Sequence, residues 1–150
     1  MLIRAADSVL VIIDMQERLV PAMQAPARTI RNARTLMACA QEMGVPMVMT
    51  EQYPAGLGQT VPELKPAPGT AVLSKMHFSC MEAAASLIEE GYEVFVVSDA
   101  TASRTLESEQ ACIARLSAAG AGIATTEMVA FEWLGRAGTA AFKKLLPLIK

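Results

Sequence analysis

The sequence predicts one α/β domain over residues 1–150, a doubly wound parallel sheet with helices on both faces. Three observations lead there. Short β-branched runs alternate with longer segments of helical period, the grammar of right-handed βαβ crossovers. Two of those runs, Ser-Val-Leu-Val-Ile-Ile-Asp and Ala-Val-Leu-Ser-Lys, close on opposite charges, Asp14 and Lys75, at the carboxyl ends of strands, where such sheets bind ligands. And 150 residues, 53% of them hydrophobic, suffice for one core and not for two.

In order along the chain, Val9–Ile13 is a continuous β-branched run, as expected of a strand covered on both faces. Arg28–Met43 places Ile30, Ala33, Met37 and Ala40 on one helical face, and Gly44 with Pro46 ends it. Met47–Thr50 is a second strand. Glu51–Gly69 holds Pro54, Gly56, Gly58, Pro62, Pro66, Pro68 and Gly69, too many breakers for a long regular element, and reads as a surface loop. Ala71–Ser74, Glu93–Ser98 and Gly122–Thr125 are further strands. Leu106–Ala119 reads as a helix with Ile113 and Leu116 inward, and Met128–Leu134 and Ala140–Leu146 as closing helices. Within the first of these two, Phe131 and Trp133 fit either core packing or a subunit contact.

Composition narrows the function. A net charge of −2 with no dense run of Lys or Arg argues against nucleic acid or an anionic membrane surface as partner and leaves a small molecule. No apolar stretch approaches the ~18 residues of a membrane span, and no signal-like start is evident. Three cysteines, Cys39, Cys80 and Cys112, with one histidine, His77, fit neither a disulfide framework nor a zinc site; we expect no metal or cofactor, and a reducing, cytoplasmic setting.

Ser79-Cys80-Met81-Glu82 has the form of a capping box, with Ser79 as N-cap and Cys80 as the first helical residue. A thiol there meets unpaired backbone N–H groups and the positive end of the helix dipole, both of which favour the thiolate, as would Lys75 nearby. The alternative is that Cys80 is a small buried hydrophobe. Asp14 can cap the following segment or act as a general base beside a thiol, and Lys75 can be its partner or a solvated strand end. Cys39 and Cys112 read as core, and the Gly56-Leu-Gly58 pair lacks the strand-to-helix context of a dinucleotide loop.

Val-Ile-Ile-Asp-Met-Gln-Glu at 11–17, Ser-Lys-x-x-Phe-Ser at 74–79 and Gly-Tyr-Glu-Val-Phe-Val-Val-Ser-Asp-Ala-Thr-Ala-Ser-Arg at 91–104 resemble the isochorismatase-like cysteine hydrolase family. Thr-Glu-Gln-Tyr-Pro at 50–54 with Gly-Leu-Gly-Gln-Thr-Val-Pro-Glu-Leu at 56–64 resembles its isochorismatase domain-containing branch. The resemblance implies a hydrolase for a small carbonyl, amide or enol-ether substrate, with Asp14 as base, Lys75 as electrostatic partner and a cysteine nucleophile. In the isochorismatases proper the cysteine is dispensable and the aspartate acts on an enol ether. It also implies a homo-oligomer. Gln16, Gln52 and Tyr53 are expected to line the substrate pocket by position.

The chain departs from this pattern at one place. Family members insert a helix and a central strand between the Lys-x-x-Phe-Ser segment and the nucleophile, about 30 residues, whereas Phe78-Ser79-Cys80 runs directly into Met81-Glu82. Three outcomes are open: the first strand pairs with Glu93–Ser98, a strand from another chain fills the place, or the natural chain carries further residues here. The last is our expectation, with Cys80 as the alternative nucleophile. An inactive relative that binds a small molecule or forms oligomers is the rival function.

Overall fold

In a computed structural model, which describes residues 2–76 and 80–149 and leaves the side chains of Cys80 and Met81 undescribed, the strands form two parallel sheets. The first has the order β1 (Leu10–Ile13), β2 (Met47–Gln52), β3 (Ala71–Lys75), and the second pairs β4 (Phe95–Val97) with β5 (Gly122–Ala124). Register is continuous: Ile13 lies beside Thr50 and Thr50 beside Leu73, while Gln52 lies beside Lys75. The expected α/β class and parallel strand direction are present. Pairing of the first strand with residues 93–98 is not: β1 and β4 belong to separate sheets, which removes the first of the three outcomes above.

Between the strands run α1 (Pro26–Met43), a short α2 (Pro54–Leu57), α3 (Cys80–Glu89), α4 (Leu106–Ala118), α5 (Thr126–Leu134) and α6 (Ala140–Ile149). The loop expected from residue 51 begins later, because β2 runs on to Gln52 and α2 with a 3-10 turn at Pro62–Leu64 follows. Proline at the first helical position, whose missing N–H has no intrahelical partner to lose, lets α2 form inside a breaker-rich segment.

Helix α1 shows why the main core sits where it does. Thr29, Ala33, Leu36, Cys39 and Ala40 recur at helical spacing and are all buried, and the last four pack in one cluster with Leu10, Ile12 and Met49 of the first sheet. Gly44 then takes a φ of +70°, and its N–H returns to the carbonyls of Ala40 and Gln41, closing the helix. The same cluster takes in Val129, Ala130, Trp133 and Leu134 of α5 and Leu145 of α6. Trp133 is therefore core, its Nε1 donating to Ser8 Oγ at 3.3 Å, whereas Phe131 on the same helix is exposed. Cys39 is fully enclosed, and burial pushes its thiol up to about 11.

A smaller cluster of Ala84, Leu116 and Ala121, with Ile88, Val94, Val96 and Cys112 against it, joins α3 and α4 to the other face of β4–β5. Among the described residues, helices thus cover both faces of the second sheet but one face of the first. On the uncovered side Val9, Val11 and Leu73 are 57%, 37% and 55% exposed, so a run read as doubly buried is buried on alternate residues only.

Gln16 fixes the carboxyl edge of the first sheet. Its side chain is fully buried; Nε2 donates to the carbonyls of Gln52 at 2.9 Å and Gly58 at 2.6 Å, and Oε1 accepts from the Gln52 N–H at 2.7 Å. Around it the backbone of residues 15–18 pairs with 57–61 through Glu17 N–H to Gln59 O, Arg18 N–H to Leu57 O and Val61 N–H to Met15 O. One primary amide therefore satisfies three backbone groups that no strand reaches.

Replacing this amide by Gln16→Met, which keeps volume, leaves those groups unpaired and should cost about 2–5 kcal/mol, read by urea unfolding. A loss below about 1 kcal/mol would refute the bracing role. The Cys39 thiol keeps its proton in the folded chain beyond the pH at which an unfolded thiol loses it. Its stabilising contribution is therefore full below pH 9 and is lost as pH rises toward about 11. Thermal melts of wild type should fall across that window, and Cys39→Ala should flatten the decline.

Candidate active site

The carboxyl ends of β1, β2 and β3 bring Asp14 and Lys75 together. Asp14 follows Ile13 in the left-handed region, φ +54°, a conformation that Asp tolerates better than most residues and that turns its side chain off the strand line. Its N–H still donates to Thr50 O at 3.0 Å, so the turn begins while the strand is anchored. Asp14 Oδ1 accepts from Thr50 Oγ1 at 2.8 Å, and Oδ2 lies 2.7 Å from Lys75 Nζ. Both side chains are largely withdrawn from solvent, 10% and 17% exposed, so the pair attracts more strongly than one in water.

The arrangement is an oriented carboxylate with a cation on one oxygen and a hydroxyl on the other. Each oxygen keeps a further lone pair, so the group can still accept a proton from a molecule placed against it. The sequence did not single out Thr50. Its place in the Thr-Glu-Gln end of β2, in register with Ile13, is the signal that would have found it.

The three residues expected to line a pocket separate. Gln16 is the internal brace described above, with its amide hydrogen-bonded to the backbone of Gln52 and Gly58. Gln52 is buried and held at both its N–H and its C=O by Gln16. Tyr53 is half exposed at the rim, with φ +38° and its N–H on Lys75 O at 2.9 Å. Its ring lies so close to Gly56 that a Cβ there would fall 2.1 Å from the ring's Cε1.

The backbone of Cys80 opens α3 as expected; its side chain, and His77, Phe78 and Ser79, lie outside the described residues, so the thiol's distance from Asp14 is not part of this geometry. Among the described residues no group of three His, Cys, Asp or Glu side chains could hold a metal, and no helix is long and apolar enough to cross a membrane. Two hollows lie away from the Asp14–Lys75 pair. One of about 260 Å³ is lined by Tyr92, Phe95 and Gly122, and one of about 440 Å³ lies between Arg28, Arg31, Asp99 and Glu127.

Comparison with known proteins identifies the family and the fold. The isochorismatase domain model matches residues 8–84 and, as a second piece, 76–128. Isochorismatase domain-containing protein 2 of Danio rerio is 32% identical over 171 positions, covering 95% of this chain and 86% of that protein. Protein 1 of the same fish is 30% identical over 174 positions, covering 97% of this chain, which spans 62% of that relative's length. An alignment of 174 positions that uses 97% of 150 residues leaves on the order of 30 positions opposite no residue of this chain, the scale of one helix-plus-strand unit.

Among solved structures, the MAR1 ribonuclease from Caenorhabditis elegans superposes with a TM-score of 0.94 at 28% identity, covering 99% of this chain and 92% of its own. The YcaC gene product from Escherichia coli, described as an octameric hydrolase of unknown specificity, superposes at 0.88 and 22%, covering 98% and 90%. With its family model matched over most of its length and its fold reproduced throughout, this chain belongs to the isochorismatase domain family.

Proposed function

We propose that the chain is an isochorismatase-like hydrolase domain acting on a small carbonyl, amide or enol-ether substrate. The observation that carries this reading is the Asp14–Lys75 pair, 2.7 Å apart and shielded, at the edge of a parallel sheet where ligands bind. Asp14 takes a proton from the attacking nucleophile or from the substrate, and Lys75 holds the carboxylate in place and balances the charge that develops. The nucleophile is a thiol at a helix start, either Cys80 or one belonging to the positions this chain lacks, where backbone N–H groups also receive an oxyanion. Tyr53 stands at the mouth. The E. coli neighbour's octameric description supports assembly into oligomers, with the exposed Phe131 on α5 as an apolar contact.

The C. elegans neighbour is described as a ribonuclease, but 13 basic against 15 acidic residues offer this chain no excess for a phosphate backbone. RNA therefore belongs in the assay panel as a control that should not be cleaved.

The split sheet favours a second reading, a relative that retains the pocket and binds without turnover. A panel of amides, nitriles and enol ethers separates the two. On any substrate turned over, Asp14→Asn and Lys75→Met should each lower kcat by about 10²–10⁴ with the fold intact by circular dichroism; unchanged rates would sink the assignment. Iodoacetamide should label Cys80 faster than Cys39 and Cys112 if Cys80 is the nucleophile, and equal labelling moves that role elsewhere. Ligand binding with no turnover at all supports the second reading.

A further inference from the structure

The larger hollow, about 440 Å³, opens beyond the carboxyl ends of the second sheet and includes neither Asp14 nor Lys75 in its lining. Asp99 comes two positions after β4 ends at Val97, and Thr126 two positions after β5 ends at Ala124. That is the end of an open α/β sheet at which ligands bind, and the volume falls in the range of small-molecule sites, about 300–1,000 Å³.

Three walls of different character enclose it. Helix α1 supplies Arg28 and Arg31, the turn after β4 and the start of α5 supply Asp99 and Glu127, and the end of α6 supplies Leu148 and Ile149. Neutral groups and one carboxylate oxygen hold these walls together. Asn32 Nδ2 donates to Asp99 O at 2.7 Å, Asp99 Oδ1 accepts from the Thr126 N–H at 2.8 Å and hydroxyl at 2.9 Å, and Thr35 Oγ1 donates to Leu148 O at 3.3 Å.

Most of the charge is left over. Arg31 and Glu127 have no ion-pair partner among the described residues, and Asp99 Oδ2 accepts no described hydrogen bond. Arg28 Nη2 lies 3.6 Å from Glu109 Oε1, which balances its charge without a hydrogen bond. Glu109 is nine-tenths buried, and both its Oε2 and the Arg28 Nε are enclosed without a hydrogen-bond partner. Buried polar atoms are rarely left in that state, so the Arg28 guanidinium retains binding capacity that the chain itself does not use.

We propose that this hollow binds a small amphipathic zwitterion of the class of the aliphatic α-amino acids. Its carboxylate lies on Arg28 and Arg31, its ammonium on Asp99 and Glu127, and its hydrocarbon against Leu148 and Ile149. Charge complementarity selects this class. A simple anion would face Asp99 and Glu127 uncompensated, a simple cation would face both arginines, and an uncharged apolar molecule would strip water from all four. The carboxylate suits guanidinium groups, which receive it through paired N–H donors. The proposal does not rest on the hydrolase reading.

The probe is L-leucine, added to the full 150-residue chain and followed by calorimetry and by amide NMR shifts. Binding should saturate, with shifts at Asn32, Asp99 and Glu127 and none at Asp14 or Lys75. Isocaproate lacks the ammonium, isoamylamine the carboxylate and glycine the hydrocarbon; each should bind at least about tenfold more weakly. Arg31→Gln and Glu127→Gln, both at exposed positions, should each weaken leucine by about tenfold or more. Lys144→Gln, whose partner is Glu42 outside the hollow, should not. Circular dichroism checks that the variants fold, and the ligand series on the unaltered chain decides the matter if one does not. Absence of saturable binding, shifts centred on Asp14 and Lys75, or unchanged affinity in both charge variants overturns the proposal. Isocaproate or isoamylamine binding as tightly as leucine also overturns it, by making the hollow a site for a single charge.

Discussion

A strand inside a sheet has two flanks of hydrogen-bonding groups, and both must be satisfied once water is excluded. In this chain β2 meets that requirement fully, between β1 and β3, while β1 meets it on one side only. Much else follows from this. The first sheet is anchored not by neighbours on both sides but by α1 beneath it and by the Gln16 amide at its carboxyl edge. The two sheets keep their common placement through a shared helical layer, α1 with α5 and α6, instead of through a continuous ladder.

That same economy of support shapes the site. Asp14 and Lys75 come from strands separated by β2, and it is the length and register of β2 that let them touch across its end. Thr50 contributes twice, with its backbone carbonyl on the Asp14 N–H and its hydroxyl on the Asp14 carboxylate. Left-handed backbone at Asp14 and again at Tyr53 is strain of the kind that persists when surrounding bonds over-determine it. Here those bonds are identifiable: Thr50 for the first, and the Lys75 carbonyl for the second.

How much of this was legible in the sequence depends on whether a feature is periodic or convergent. Strands β1, β2 and β3, helix α1 with its glycine stop, and the position of Asp14 and Lys75 at strand ends all follow from local pattern and the parallel topology it implies. The break between residues 76 and 84 was legible as well, since it interrupts an otherwise ordered set of motifs. The bracing role of Gln16 was not legible, because a glutamine two places after a strand-end aspartate looks like a pocket group. Its actual partners, Gln52 and Gly58, lie 36 and 42 residues away, and no pattern in one dimension announces them. The exposure of Val9 and Val11 escaped notice for the opposite reason. A continuous β-branched run signals a strand built to be covered twice, and the missing cover is a property of the rest of the chain.

Trp133 gives the molecule a single indole reporter, because the chain has no second tryptophan. It is wedged between α5 and the amino-terminal segment through Ser8, on the side of the first sheet that α1 covers. Its emission therefore senses solvent reaching that seam and is silent about events on the bare side. A titration followed by fluorescence would register melting of the shared helical layer while leaving the exposed face of Val9, Val11 and Leu73 dark.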